Sequence, residues 1–342
     1  MSNIAEDRVY RTLLAHSARI GADPALVQGA GGNTSLKRGD VLWVKASGAW
    51  LAEAERRAIM VPVRIAPLLA ALAAGDPRAE TAQAFVVSEE NPTGLRPSIE
   101  TTMHAVLPHR VVFHVHCVET IAFAIRADAE AALAAPLAGL AWAFVPYVRP
   151  GAPLTRAIAA RLRPETDILV LGNHGLVVGA DDPAAAYALL ARVAARLRRP
   201  VRRAPVADMA ALARLAAGSA YAPAPVEAQA LATDRTMLAL AREGSFYPDH
   251  VIFLGPGVVE LAPDQPLPAG EGAPPMVVVA GRGVLLRRDA SPGVAPLARC
   301  LADVLARVDP VWALRPLRAE YERELLGWEA EQYRRTLAAS RA

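Results

Sequence analysis

Two histidines stand two residues apart in the run from Val111 to Cys117, whose β-branched and aromatic residues predict a strand. Side chains alternate between the two faces of a strand, so His114 and His116 are expected to point the same way. Two imidazoles on one face of a rigid strand can share a metal ion. This spacing alone is a weak indication of a metal site, so other elements must supply the remaining ligands.

A third histidine, His174, lies in the turn Gly172-Asn173-His174-Gly175, between two apolar segments that we predict to be buried strands. Such a turn brings its side chain close to the end of a neighbouring strand. A histidine that only hydrogen-bonds within its own turn is the alternative. Three histidines without a cysteine would form an open, catalytic zinc-type site that leaves one position for water or substrate.

Glu100 is a candidate acid or base, because it falls in the first turn of a helix that Ser98 is predicted to cap. That helix leads directly to the His114 strand, which would place the carboxylate near a metal-bound substrate. A favourable interaction with the helix dipole is the alternative explanation. His104, four residues later, would share the helix face as a partner of the site, as another ligand, or simply as a packed side chain.

Two loops of small residues, 29–35 and 46–48, are candidates for anion binding, because backbone N–H groups and hydroxyls in such loops bind negative charge. Their spacing matches neither a dinucleotide-binding fingerprint nor a P-loop, and ordinary turns are the alternative. Lys45 precedes the second loop, as a binding residue or as an exposed lysine at a strand end. The candidates in this region for contact with a substrate anion are Gly32, Asn33, Thr34, Lys45, Ser47 and Gly48.

The length of 342 residues fits two domains, and the 53% of hydrophobic residues is ample for a packed core. No apolar run reaches the roughly 18 residues that a membrane span requires. The N-terminus lacks the pattern of a secretory signal, and the two cysteines, Cys117 and Cys300, make no disulfide framework. We therefore expect a cytoplasmic protein that does not associate with a membrane.

The net charge is +3, and nearly all of the positive charge comes from arginine. The arginines are spread along the chain, apart from a group between residues 196 and 203 that suits the solvated end of a predicted helix. Aromatic residues make up 5% and do not alternate with basic ones, so the sequence offers no platform for base stacking. We predict a small-molecule substrate and no nucleic-acid partner.

The spacing of apolar residues predicts helices over 4–20, 64–74, 98–108, 127–140, 153–162, 183–197, 297–308 and 315–337. It predicts a hairpin over 36–45 and strands over 111–117, 144–147, 167–172, 176–179, 251–255 and 276–280. Prolines in 200–225 indicate a boundary between a metal-binding domain, 1–205, and a C-terminal α/β extension, 206–342. Residues 277–286 loosely resemble 168–178, with Arg282 at the position of His174, so the extension is either a degenerate repeat or a coincidental likeness.

Five short motifs follow one another along the chain: Gly31–Ser35, Lys45–Gly48, Pro97–Glu100, His114–His116 and Asn173–Gly175. In this order they resemble the class II aldolase/adducin family, over about residues 5–200. The region beyond resembles the extended aldolase domain of rhamnulose-phosphate aldolase-like proteins, without the dehydrogenase that is fused to it there. The resemblance implies an α/β/α sandwich around a central mixed β-sheet, with a smaller C-terminal α/β region.

The same resemblance implies roles for the candidate residues. His114, His116 and His174 would bind zinc or another divalent metal, usually in a homotetramer with active sites at subunit interfaces. Glu100 would be the acid/base. The residues that would hold the phosphate of the substrate are Asn33, Ser47, Gly48 and Ser98.

The function implied by the resemblance is that of a zinc-dependent, aldolase-type lyase of carbohydrate metabolism. It would cleave or form a C–C bond in a small hydroxylated keto substrate, a sugar phosphate or related anion, through a metal-stabilised enediolate. Ile99 stands where the aldolases commonly have a second serine, which weakens the phosphate assignment. The alternatives are an epimerase, a decarboxylase or a dehydratase on the same site, and an adducin-like assembly module that binds no metal.

Overall fold

The computed structural model of the chain describes residues 4–328. Its strands are β1 (Asn33–Arg38), β2 (Val41–Lys45), β3 (Met60–Arg64), β4 (Val111–Val115), β5 (Trp142–Val145), β6 (Ile168–Leu171), β7 (Gly175–Ala180), β8 (Tyr221–Pro223), β9 (Val259–Leu261), β10 (Met276–Val279) and β11 (Gly283–Arg287). Its α-helices are α1 (Arg8–Gly21), α2 (Ile65–Ala73), α3 (Thr101–Val106), α4 (Val118–Ala124), α5 (Ala129–Ala134), α6 (Ala152–Ala159), α7 (Pro183–Arg196), α8 (Met209–Leu215), α9 (Ala230–Thr233), α10 (Arg235–Ala241), α11 (Val294–Leu305) and α12 (Ala319–Gly327). None of these helices is long and apolar enough to cross a membrane.

The described residues divide into two compact units. The first contains the chain up to Thr120 and then Glu130–Leu197, and it carries strands β1 to β7. The second contains Ile121–Ala129 and the chain from Arg198 onward, and it carries strands β8 to β11.

The first unit is an α/β/α sandwich around a mixed sheet, as the resemblance implied. The strand order is β3-β2-β1-β4-β7-β6-β5, and β5 runs parallel to β6 while the other neighbours are antiparallel. Helices α1 and α7 pack against each other and on strands β1, β4 and β7. Helix α3 packs against α2, α6 and β2, on the other face of the sheet.

The core under α3 determines which face of β4 carries the histidines. Met103 and Leu107 of this helical segment pack with Val112 of β4 and Val177 of β7. Burying an aliphatic side chain of this size stabilises the fold by roughly 2 kcal/mol. Because side chains alternate along a strand, Val112 and His114 share a face, so this packing turns His114 toward α3.

The second unit has a smaller sheet with the order β8-β11-β10-β9. Strand β9 is parallel to β10, and the other two pairs are antiparallel. Its core contains Tyr221 of β8, Leu212 of α8, and Val277 and Leu285 of the central hairpin. This is the smaller C-terminal α/β region that was expected.

The predicted strand over 251–255 is wrong, because His250–Leu254 forms a π-helical turn. The amide of His250 donates to the carbonyl of Tyr247 at 3.1 Å, and the amide of Gly255 donates to that of Val251 at 3.2 Å. All five side chains of the turn are buried, so its apolar run has no single face. A short, continuous apolar run does not distinguish a strand from a buried helical turn.

Three helix predictions also need correction. Ser98 does not occupy the N-cap of α3, because the helix begins at Thr101 with Glu100 at the cap position, and the Ser98 Oγ accepts a hydrogen bond from the Glu100 amide at 3.2 Å. Of the segment 127–140 only α5 is helical, and the sequence did not predict α4. The helix predicted over 315–337 corresponds to α12, and its last part lies outside the described residues.

Candidate metal centre

Three histidine rings meet at the end of strand β4. His114, His116 and His174 are all buried, and each offers a ring nitrogen within 4.8 Å of those of the other two. The Nε2 atoms of His114 and His116 are 3.2 Å apart. Nitrogen ligands of one tetrahedral zinc ion lie about 3.3 Å apart. The spacing of the cluster therefore fits a small divalent cation.

The protonation pattern of the cluster fits a cation as well. The Nδ1–H of His114 donates to the carbonyl oxygen of Leu176 at 3.1 Å, which leaves the lone pair of its Nε2 directed at the cluster. The Gln28 side chain donates to the backbone carbonyl of His116 at 3.3 Å and holds the end of the strand in place. These two contacts, made by residues outside the three-histidine cluster, orient His114 and hold the backbone of His116.

The tight turn between β6 and β7 places His174. Asn173 has a left-handed backbone with φ of 52°, a conformation that asparagine tolerates. A Cβ atom on Gly175 would lie 2.4 Å from the carbonyl oxygen of Val115, and 3.4 Å from atoms of the other two rings. Only glycine therefore lets this turn approach the end of β4 closely enough to add the third histidine.

A buried carboxylate, that of Glu100, lies against the cluster. Its Oε2 is 3.3 Å from the Nε2 of His114, and its Oε1 is 3.4 Å from the Nε2 of His174. The side-chain amide of Asn33 donates to Oε2 at 2.9 Å. Within residues 4–328, Oε1 is buried and accepts no hydrogen bond.

The surroundings of Glu100 keep it ionised. Burial would raise its pKa, but interaction with His114, His174 and His116 in their protonated forms and the hydrogen bond from Asn33 outweigh burial and lower the pKa to about 2. A divalent cation held by the three rings would supply positive charge at the same place. The carboxylate is therefore available as a proton acceptor.

Asn33 and His104 surround the carboxylate from the side of β1 and α3. Asn33 is the direct partner of His114 across the β1–β4 pair. Its Oδ1 contacts the Nε2 of His104, and the Nδ1 of His104 contacts the Ser35 hydroxyl at 2.7 Å. Burial lowers the pKa of His104 to about 3, so the ring is neutral near pH 7. His104 is a partner of the site and does not belong to the three-histidine cluster.

Lys45 joins the two small-residue loops. Its side chain is buried, and its Nζ donates to the carbonyl oxygens of Ala30 and Ala49, each at 2.8 Å. The ammonium group thus donates to one carbonyl of the first loop and to that of the residue directly after the second loop. The structure gives Lys45 a place in the scaffold of the site, and its contact with a substrate anion stays a prediction.

Four other predicted anion contacts do come together near Glu100. The backbone of Ala46 pairs with that of Pro97, which brings the loop 46–48 beside Ser98. The Ser98 Oγ accepts from the Asn33 amide at 3.0 Å and from the Glu100 amide, so its own proton is available to a further acceptor. The Ser47 hydroxyl is buried and has no hydrogen-bond partner in the described part of the chain. Gly32 and Gly48 flank these residues with positive φ angles of 59° and 71°.

Thr34 is the predicted anion contact that the structure does not bring to the site. Its hydroxyl lies 2.7 Å from that of Ser17 in α1, on the face of the sheet opposite Asn33. The alternation of β1 explains the difference, because Asn33 and Ser35 point to α3 and Thr34 points to α1. The same alternation could have identified Ser35, which the sequence interpretation did not select.

The family can now be assigned from comparison with known proteins. A family model described as the class II aldolase and adducin N-terminal domain matches residues 12–198. The chain belongs to this family. The uncharacterized oxidoreductase YuxG of Bacillus subtilis (strain 168) is 33% identical to this chain over 196 residues. The match spans 53% of this chain and 27% of the length of that relative.

Solved structures of class II aldolase-type proteins are similar over the same part of the chain. The N-terminal class II aldolase domain of a conserved protein from Thermoplasma acidophilum is 26% identical, with a TM-score of 0.48, over 56% of this chain and 92% of that one. YgbL from Klebsiella pneumoniae, described as a putative aldolase/epimerase/decarboxylase, is 22% identical, with a TM-score of 0.39, over 55% and 87%.

Proposed function

We propose that the chain is a divalent-metal-dependent lyase of the aldolase type, which cleaves or forms a C–C bond in a small hydroxylated carbonyl compound with an anionic group. One observation supports this most: the Glu100 carboxylate is buried between His114 and His174 of a three-histidine cluster that fits a cation. A proton acceptor held against a cation site is what the breaking of a C–C bond beside a carbonyl requires.

The histidines and Glu100 would have separate roles in this reaction. The three histidines would hold the cation, which when bound polarises carbonyl and hydroxyl oxygens of the substrate. Glu100 would accept the proton that the substrate gives up during cleavage and return it to the product. We place that proton on Oε1, because Oε2 already accepts a hydrogen bond from Asn33.

The anionic group of the substrate would be bound by hydroxyls and backbone amides. Ser98 has a proton to donate, since its oxygen already accepts two hydrogen bonds, and the buried Ser47 hydroxyl has no partner among the described residues. Gly32 and Gly48 would let the backbone approach the anion closely. Phosphate and carboxylate are the two anions that suit such donors.

Membership of this family also motivates proposals about the metal, the substrate, the location and the assembly. We propose zinc as the native metal, a carbohydrate-derived substrate, a cytoplasmic location and a homotetrameric assembly. Metal analysis of the protein as purified tests the first of these, and light scattering coupled to size-exclusion chromatography tests the last. A stable monomer in solution would contradict the proposed assembly.

A substrate screen tests the function. The purified chain would be stripped of metal, reloaded with zinc, manganese or cobalt, and offered ketose phosphates and non-phosphorylated keto acids. We expect aldehyde release that depends on the metal from at least one anionic substrate. Failure to retain any divalent ion after reloading would contradict the proposal, as would conversion of substrates into isomers without cleavage.

A further inference from the structure

A chain of four buried side chains leads from the interior of the first unit to the catalytic carboxylate. The Ser35 hydroxyl contacts the Nδ1 of His104 at 2.7 Å, and the Nε2 of His104 contacts the Oδ1 of Asn33. The amide nitrogen of Asn33 then donates to Glu100 at 2.9 Å. Each of these side chains is buried, so water does not compete for the contacts.

With an ionised carboxylate and a neutral ring, one set of proton positions satisfies every atom in this chain. An ionised carboxylate can only accept, so the NH₂ group of Asn33 must face Glu100 and its carbonyl oxygen must face His104. That oxygen also only accepts, so the Nε2 of His104 must carry the proton. The Nδ1 of the neutral ring then accepts from the Ser35 hydroxyl. The direction of donation is fixed from Ser35 to Glu100.

We propose that His104 is a positioning residue, which holds the Asn33 amide in the one orientation that donates to the Glu100 carboxylate. Its effect on turnover rests on the proposed function of Glu100. The hydrogen bond from Asn33 keeps Oε2 occupied and turns Oε1 toward His174 and the substrate. His104 therefore acts on the carboxylate through Asn33 and does not touch the substrate.

The alternative is that His104 only fills space under α3. An apolar residue of similar size would then serve equally well. In the positioning role it would not, because the Asn33 oxygen would lose its donor, and a flipped amide would set that oxygen against the carboxylate. The difference between polar and apolar replacements therefore separates the two roles.

Two substitutions make this comparison. In His104→Gln the amide can still donate to Asn33 and accept from Ser35, whereas in His104→Leu it can do neither. We expect His104→Leu to lower kcat by about 10- to 100-fold, with KM within about threefold of wild type and with unchanged metal content. His104→Gln should retain most of kcat. Equal losses in the two variants would overturn the proposal.

A double-mutant comparison checks that the effect passes through Asn33. In an Asn33→Ala background, His104→Leu should cause no further loss of kcat, because the amide that His104 orients is gone. A loss that multiplies with that of Asn33→Ala would mean that His104 acts by another route, and it would overturn the proposal.

A measurement on the resting protein separates this proposal from the proposed function. Nitrogen NMR of ¹⁵N-histidine-labelled protein reports the tautomer of each ring, and the signals of His104 are identified by their absence from His104→Gln. We expect the Nε2–H tautomer. An Nδ1–H tautomer would overturn the positioning role and leave the proposed function intact, whereas absence of turnover in the wild-type chain with the Nε2–H tautomer present would overturn the function and the catalytic consequence of His104.

Discussion

Single side chains at the candidate metal centre divide into the three histidines, a buried carboxylate and the groups that orient them. The ligands and Glu100 could be selected from the sequence, because H-x-H on a strand, a turn histidine and a helix-start carboxylate have recognisable spacing. The groups that orient them could not be selected with equal certainty. The contact of His104 with Asn33 joins α3 to β1, and no spacing along the chain encodes a contact between side chains 71 residues apart.

Gly175 offers a test of how closely the His174 turn must approach β4. A Cβ at this position would lie 2.4 Å from the Val115 carbonyl oxygen. We expect Gly175→Ala to displace His174 and to weaken zinc binding by about 10- to 100-fold, as for other residues that orient metal ligands. Competition with a chelator of known affinity measures the effect. Gly327→Ala is the control, since nothing lies within 4 Å of its Cβ position, and equal zinc affinity of the two variants would exclude this role for Gly175.

The strands and loops of the first unit hold these side chains, and Lys45 links two of the loops. In Lys45→Met a side chain of similar length would leave the carbonyl oxygens of Ala30 and Ala49 without its hydrogen bonds. Each unsatisfied buried acceptor costs about 1–3 kcal/mol, so the two together should lower the unfolding free energy by roughly 2–6 kcal/mol. Urea unfolding measures it, with the exposed Arg56→Met as control. A loss as small as that of the control would contradict the linking role.

Regular elements were easier to predict than the segments between them. Helix α7 and strands β6 and β7 follow from apolar periodicity, because their burial is one-sided or continuous over several residues. The turn over His250–Leu254 could not be predicted in this way, because its burial on all sides removes the periodic signal. The two hydrogen bonds of Lys45 to backbone carbonyls were not predicted either, because a lysine at a strand end gives no sign of such partners.

The same π-helical turn predicts a pH dependence of stability. Burial lowers the pKa of His250 to about 4, although its hydrogen bond to the Gly257 carbonyl raises it somewhat. Between pH 6.5, near the usual histidine value, and pH 4 the unfolded chain therefore binds a proton that the folded chain does not. Stability should fall as the pH drops through this window, by at most about 1.4 kcal/mol per pH unit for this group.

His250→Gln isolates that contribution. The variant is less stable at pH 7 if its amide fits the buried position poorly. The slope of its unfolding free energy against pH should nevertheless be smaller than that of wild type, because unfolding no longer takes up a proton at residue 250. Urea unfolding at a series of pH values, carried out on metal-free protein, gives both slopes. Identical slopes between pH 4 and 6.5 would show that His250 is not buried in its neutral form in the folded chain.

The whole molecule contains two sheets with a shared arrangement of strands. The order β4-β7-β6-β5 and the order β8-β11-β10-β9 have the same pairing directions. In each of the two hairpins, three turn residues separate the last residue of one strand from its glycine partner in the next. Leu171 pairs with Gly175 in the first hairpin, and Val279 pairs with Gly283 in the second. We propose on this basis that the second unit is a degenerate repeat. Arg282 then occupies the position of His174, and Pro223, the partner of Leu285, that of His114.

Within the described residues, the position of the second unit that corresponds to the metal site is filled by side chains. A Cβ on Gly283 would meet side-chain atoms of Leu212 and Gln229, where the corresponding position in the first unit faces two histidine rings. We therefore expect one divalent ion per chain, held entirely by the first unit. Elemental analysis of His114→Ala should find this ion lost while circular dichroism stays unchanged, and His109→Ala should retain it. A second equivalent of metal, or an ion that survives in His114→Ala, would contradict the assignment.

The most direct test of the central claim is the turnover of Glu100→Gln. The amide keeps the size of the carboxylate but cannot accept the transferred proton, and the three histidine rings are unchanged. On a substrate identified in the screen, the variant should retain its full metal content and lose turnover by about 100-fold or more. Normal turnover at full metal occupancy would contradict the role of Glu100 as the group that carries the proton.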